Sequence, residues 1–69
     1  MKYGLSNQLK GRVAIIHEGA VNCLLGIELP TGEIVTSSIT MESLQKLGLK
    51  VGDQAYACFK ATDVIVAAD

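Results

Sequence analysis

Short apolar runs separated by glycines dominate this chain. Glycines stand at positions 4, 11, 19, 26, 32, 48 and 52, and the single proline is Pro30. Residues 12–17 (RVAIIH) are rich in β-branched side chains, and residues 20–29 (AVNCLLGIEL) alternate roughly between apolar and polar. Both patterns predict strands. Leu29-Pro30-Thr31-Gly32 predicts a turn, with proline at its second position and glycine taking the positive φ. It joins residues 20–29 to residues 33–39 (EIVTSSI) as a hairpin. Residues 56–60 and 64–67 are two further predicted strands, with Ala61-Thr62-Asp63 as the tight connection between them.

One segment follows a different period. Met41, Leu44 and Leu47 are spaced i, i+3, i+6, which predicts a helix over 40–47. Thr40 suits the N-cap, Glu42 the first turn, Lys46 the last turn and Gly48 the left-handed stop. Residues 49–53 then turn back into a strand. The order β-β-β-α-β-β predicts one domain over 1–69. Its fold class is all-β: a small five-stranded, OB-like Greek-key barrel with one short helix after the third strand. Barrel closure also removes the exposed edges that a small apolar sheet has to avoid.

Composition adds an oligomer to this picture. A chain of 69 residues buries only about 60% of its unfolded surface. Yet 49% of its residues are apolar and only 19% are charged, against about 25% charged in ordinary domains. Association of copies is the simplest way to bury the surplus. Six Lys and Arg against seven Asp and Glu leave a net charge of −1, without the basic excess that phosphate backbones demand. Aromatic stacking platforms are limited to Tyr3, Tyr56 and Phe59. A single-stranded nucleic-acid binder on an OB barrel is therefore the disfavoured alternative. No uncharged apolar stretch of about 18 residues predicts a membrane span. The first nine residues lack the apolar core of a secretory signal. Cys23 and Cys58 read as reduced, buried, small hydrophobes. Together these features predict a cytoplasmic protein.

Catalytic motifs are missing. The sequence has no GxSxG, GxGxxG or Walker pattern, and no CxxC, HExxH or EF-hand loop. The sole histidine, His17, has no Asp or Cys within a few residues and reads as a strand-end or interface residue. A metal cluster of Cys23, Cys58 and His17 needs three separate strands to converge. The chain reads as a non-enzyme. What remains is a set of hydrogen-bond donors. Lys2, Lys10 and Arg12 occupy an acid-free start, Ser37, Ser38 and Thr40 run into the predicted helix, and Lys60 precedes Ala61-Thr62 at a turn. Such donors suit a small oxyanion site around Thr40 and Lys60. The plainer alternative stays open: Thr40 caps its helix and Lys60 is a solvated strand end.

Three stretches resemble a known family. Ser6-Asn7-Gln8-Leu9-Lys10-Gly11-Arg12-Val13 is similar to the opening motif of the molbindins, the stand-alone Mop-type TOBE domains. That motif usually reads Ser-Ala-Arg-Asn-x-Leu-x-Gly-x-Val. Glu18-Gly19-Ala20-Val21-Asn22-Cys23 is similar to their Gly-Ala-Val-Asn segment. Ser38-Ile39-Thr40, Leu47 to Gly52 and Lys60-Ala61-Thr62-Asp63-Val64 resemble their C-terminal signature. The resemblance implies the five-stranded OB-like barrel, a homo-hexamer built as a trimer of dimers, and molybdate or tungstate as the bound ligand. It implies oxyanion sites at subunit interfaces. One class carries over to Gly4, Leu5, Ser6, Asn7, Thr40, Lys60 and Ala61. A second class carries over to Gly19, Ala20 and Val21, with His17 bordering it as a candidate pH modulator. The sequence departs from the motif where Gly4 replaces the usual Ser and Ser6 replaces the usual Arg, which the family uses as an anion ligand. A guanidinium fork is thereby lost. The resemblance thus leaves two functions to separate: intracellular oxyanion storage, and a TOBE-type interaction or regulatory module without a ligand.

Overall fold

The β-branched run at 12–17 is the middle of a much longer strand. The computed structural model describes residues 6–69. Its elements are β1 (Asn7–Glu18), β2 (Asn22–Glu28), β3 (Ile34–Thr40), α1 (Met41–Leu47) and β4 (Gln54–Phe59), followed by a 3₁₀ turn at Ala61–Asp63. The strands form one antiparallel sheet in the order β3-β2-β1-β4. β1 is long because it serves two neighbours. Its first half pairs with β4, from Asn7 opposite Phe59 to Arg12 opposite Gln54. Its second half pairs with β2, from Arg12 opposite Glu28 to Glu18 opposite Cys23.

The change of partner explains two local features. The register shifts between Val13 and Ile15, a bulge that bends the strand. At Gly11 a side chain has no room, because a Cβ there would lie 2.4 Å from the Glu28 carbonyl oxygen. Gly11 thus lets β1 cross close over the end of β2. The sheet curls into an OB-like half-barrel around Val13, Cys23, Leu25, Ile27, Leu44, Ala55 and Ala57, all buried. α1 plugs one end through Leu44. The hairpin turn forms as predicted: the Gly32 N–H donates to the Leu29 carbonyl at 2.9 Å, with Gly32 at φ 93°.

Two expectations need correction. Residues 64–67 form no strand. The chain is extended at Val64, but Val64, Ile65 and Val66 are 47%, 92% and 88% exposed. A strand exists only against a neighbour, and this segment runs away from its own sheet. Among the described residues the sheet therefore has four strands, and β3 and β4 remain its two edges. They face each other across an apolar seam lined by Val35, Ser37, Tyr56 and Phe59. Cys58, on this seam, is half-buried rather than buried; Cys23 is buried as expected, and both are free thiols.

Candidate oxyanion site

The predicted site residues fall into two groups at opposite ends of β1. The first group gathers where β1 begins. Asn7 pairs with Phe59, which places Ser6 and Lys60 beside each other just past the ladder. Lys60 is extended, at φ −79° and ψ 154°, and leads into the Ala61–Asp63 turn. The turn is closed at both ends. The Lys60 N–H donates to Oδ2 of Asp63 at 3.3 Å, and the Asp63 N–H donates to the Lys60 carbonyl at 3.0 Å. The Val64 N–H adds a bond to the Ala61 carbonyl at 3.2 Å. The Lys60 ammonium is exposed and forms no ion pair with any described residue. Gly4 and Leu5, the other predicted members, lie outside the described residues.

The second group gathers where β1 ends. Thr40, the last residue of β3, pairs with Asn22, the first of β2. Its hydroxyl has the capping role: the Ser43 N–H donates to Thr40 Oγ1 at 3.0 Å, and that hydroxyl donates to Ser43 Oγ at 2.9 Å. The next residue ties this corner to the β1–β2 turn, because the Met41 N–H donates to the Val21 carbonyl at 2.8 Å. Within that turn the Gly19 N–H donates to the Asn22 carbonyl at 2.9 Å. A Cβ on Gly19 would come within 2.7 Å of the same oxygen, so the turn needs glycine there. Val21 is 70% exposed, and His17 sits on the exposed side of β1 opposite Leu24.

Within one chain the expected site residues lie at the two ends of β1. Thr40 and Lys60 do not meet within one chain: β1 separates them by roughly 35 Å of strand path, at about 3.3 Å per residue over its length. Thr40 adjoins Gly19, Ala20 and Val21, which the resemblance assigns to a second class of site. Neither group is enclosed. One end of β1 thus carries the Thr40 hydroxyl beside the Gly19–Val21 turn, and the other carries Ser6, Asn7 and the Lys60 ammonium.

Two residues join these groups that the sequence did not single out. Ser43 shares the hydroxyl pair with Thr40, and Asp63 brings a carboxylate to the Lys60 turn. Ser43 was legible as the third residue after an N-cap Thr. Asp63 was hidden by treating Ala61-Thr62-Asp63 as a mere connection. An open cleft lies elsewhere, between Arg12, Glu28, Pro30 and Gln54. Its Arg12 is ion-paired to Glu28 at 2.9 Å, so that guanidinium is already neutralised. Among the described residues no three His, Cys, Asp or Glu side chains gather to hold a cation.

Known proteins share this arrangement along the whole chain. The sequence model of the TOBE domain family matches residues 5–66. A probable molybdenum-pterin-binding protein of Haemophilus influenzae is 41% identical over 66 residues, which is 96% of this chain and 96% of that protein. MopII of Clostridium pasteurianum superposes with a TM-score of 0.91 at 36% identity, covering 97% of this chain and all of MopII. The cytoplasmic molybdate-binding protein ModG, in a crystal form with molybdate bound, superposes with a TM-score of 0.89 at 40% identity. That match covers 94% of this chain and 46% of ModG. The curled sheet, the capped helix after β3 and near-complete coverage in both sequence and structure agree, and the chain belongs to the TOBE domain family, in its Mop-type branch.

Proposed function

We propose that this chain binds molybdate, or its congener tungstate, between copies of itself and serves as a non-catalytic intracellular store. ModG with molybdate bound, matching 94% of this chain, and a molybdate-binding protein of Sporomusa ovata, matching 99% of it, support the ligand. The observation that supports the rest is the placement of the candidate residues: Thr40 and Gly19–Val21 lie at one end of β1, and Ser6, Asn7, Lys60 and Ala61 at the other. On this reading each end is half of a site. A second copy placing its Lys60 end against the Thr40 end of the first would surround a tetrahedral ion with donors.

The donor chemistry favours a fully deprotonated dianion. Molybdate and tungstate only accept hydrogen bonds. Phosphate near neutral pH always carries at least one proton, and that proton would face another donor in a closed site. Sulfate shares the acceptor-only character, so size alone separates it from molybdate. The Lys60 ammonium supplies a charge-assisted bond of about 1.5–3 kcal/mol before desolvation. Ser6 contributes a neutral donor where the family motif carries a guanidinium, which weakens this half of the site.

The same reading accounts for the exposed tail. Val64, Ile65 and Val66 are too apolar to stay in water, and the seam between β3 and β4 of a second copy offers two unpaired edges. Exchange of tails completes each partner's sheet with a fifth strand and sets Lys60, four residues before Val64, at the interface. Three such dimers make the hexamer expected from the resemblance, near 44 kDa as six chains of 7.3 kDa. A cytoplasmic location follows the ModG precedent, and no helix among the described residues is long and apolar enough to cross a membrane.

Native mass spectrometry tests this directly, with the protein incubated in turn with molybdate, tungstate, sulfate and phosphate. A hexamer mass with discrete increments for molybdate or tungstate alone is the expected result. A hexamer without increments sinks the storage reading and leaves an interaction module. A monomer sinks the interface.

A further inference from the structure

We infer that Asp63 sets the strength of the Lys60 half-site: its carboxylate positions the turn, while its charge opposes the bound dianion. The inference rests on the oxyanion reading above and assigns a role to a residue outside the donor set. Asp63 is the one acid in the Lys60–Ala61–Thr62–Asp63 turn. Its Oδ2 accepts from the Lys60 N–H, so the carboxylate is held against the backbone of Lys60. Its own N–H donates to the Lys60 carbonyl. The two bonds fix the backbone from which Lys60 and Ala61 project.

A carboxylate in that position has two opposed effects. It orders the turn, so the donors are already aimed when an ion arrives. It also places a negative charge within a few residues of a dianion, which loosens binding by Coulomb repulsion. A neutral acceptor of the same shape would keep the first effect and drop the second. For a store, the repulsion is useful, because a bound ion has to be given up again.

The molecule carries its own control. Lys50-Val51-Gly52-Asp53 is closed by the same pair of hydrogen bonds on a different backbone, with Gly52 at φ 99°: the Lys50 N–H donates to Asp53 Oδ2 at 2.9 Å, and the Asp53 N–H donates to the Lys50 carbonyl at 3.0 Å. This second turn leads into the start of β4 and is bonded to Val13, at the opposite end of β4 from Lys60. Asp53→Asn therefore changes the net charge by the same amount, at a carboxylate with the same backbone hydrogen-bond partner, away from the half-site.

The test is titration calorimetry with molybdate on the assembled protein and on Asp63→Asn, Asp63→Ala and Asp53→Asn, each first shown by circular dichroism and size to fold and assemble. Asp63→Asn should bind roughly three- to tenfold more tightly than the original chain, the scale of one partly solvated charge acting on a dianion. That gain should shrink as chloride salt is raised, because screening acts on the charge and not on the turn. Asp63→Ala should bind several-fold more weakly than Asp63→Asn, since both lack the charge and only the alanine lacks the acceptor. Asp53→Asn should stay within about twofold of the original chain. Equal affinities for Asp63→Asn and the original chain would overturn the electrostatic role. Equal affinities for Asp63→Ala and Asp63→Asn would overturn the positioning role, and a gain matched by Asp53→Asn would overturn the local one. If the original chain itself binds no molybdate, the oxyanion reading fails, and this inference with it.

Discussion

On the proposed oxyanion reading, single side chains decide how tightly each half-site holds an ion. Thr40 has one hydroxyl for two tasks: it accepts the Ser43 N–H as a cap, and its own proton goes to Ser43 Oγ when no ion is present. An ion at this corner competes with Ser43 Oγ for that proton without disturbing the cap. Thr40→Ala is therefore expected to cost about 1 kcal/mol of stability through the cap and to weaken molybdate binding as well. Thr40→Ser should restore both, and urea unfolding alongside calorimetry reads the two losses separately. Ser6 poses the complementary question. It stands just ahead of β1, beside Lys60, where the family motif has arginine. Ser6→Arg returns a charged fork, and a charge-assisted bond of about 1.5–3 kcal/mol corresponds to roughly ten- to hundredfold tighter binding. Unchanged affinity in Ser6→Arg would show that this position does not face the ion here.

At the scale of elements, the helix is the simplest case. Its seven residues are too few to be stable alone. It persists because Thr40 caps its start, Gly48 closes its end at φ 65°, and Leu44 is buried in the sheet. Leu44→Ala should cost about 2–5 kcal/mol and should loosen the Thr40 corner, so hydrogen exchange at Ser43 and Leu44 is expected to rise with it. The i, i+3, i+6 spacing and both caps were legible in the sequence because every signal for this helix is local. The hairpin from β2 to β3 was legible for the same reason. β1 was only half legible. Its first half, Asn7 to Gly11, carries polar residues and a glycine, and no period marks it as a strand; the order comes from pairing with β4, far along the chain. The segment 64–67 shows the opposite failure. Its β-branched composition carries a strand preference, but a preference makes no strand without an edge to pair with, and none forms. Likewise the donors at Thr40 and Lys60 were readable as chemistry. Their separation was not, because it depends on the full length of β1.

The whole molecule therefore turns on the tail. An isolated chain would leave Ile65 and Val66 almost wholly in water, with both edges of its sheet unpaired. That is an unstable combination for a chain of 69 residues. Ile65→Asp addresses it with one change. Burying an isoleucine is worth about 1.5–3 kcal/mol, and in a symmetric exchange the loss counts twice per dimer. The dimer should thus dissociate at least about a hundredfold more readily, at roughly 1.4 kcal/mol per factor of ten. Light scattering across a dilution series reads that shift. Molybdate binding should fall with it, because the Thr40 and Lys60 halves then no longer meet. The β-sheet circular dichroism should persist at protein concentrations high enough to drive association, since the core of Val13, Cys23, Leu25 and Ile27 lies within one chain. The dependence on concentration separates this account from simple misfolding. If added protein restores both assembly and binding in Ile65→Asp, the tail acts through association and the site is shared. If Ile65→Asp dissociates fully and still binds molybdate with the original affinity, one chain holds a complete site and the shared interface is wrong.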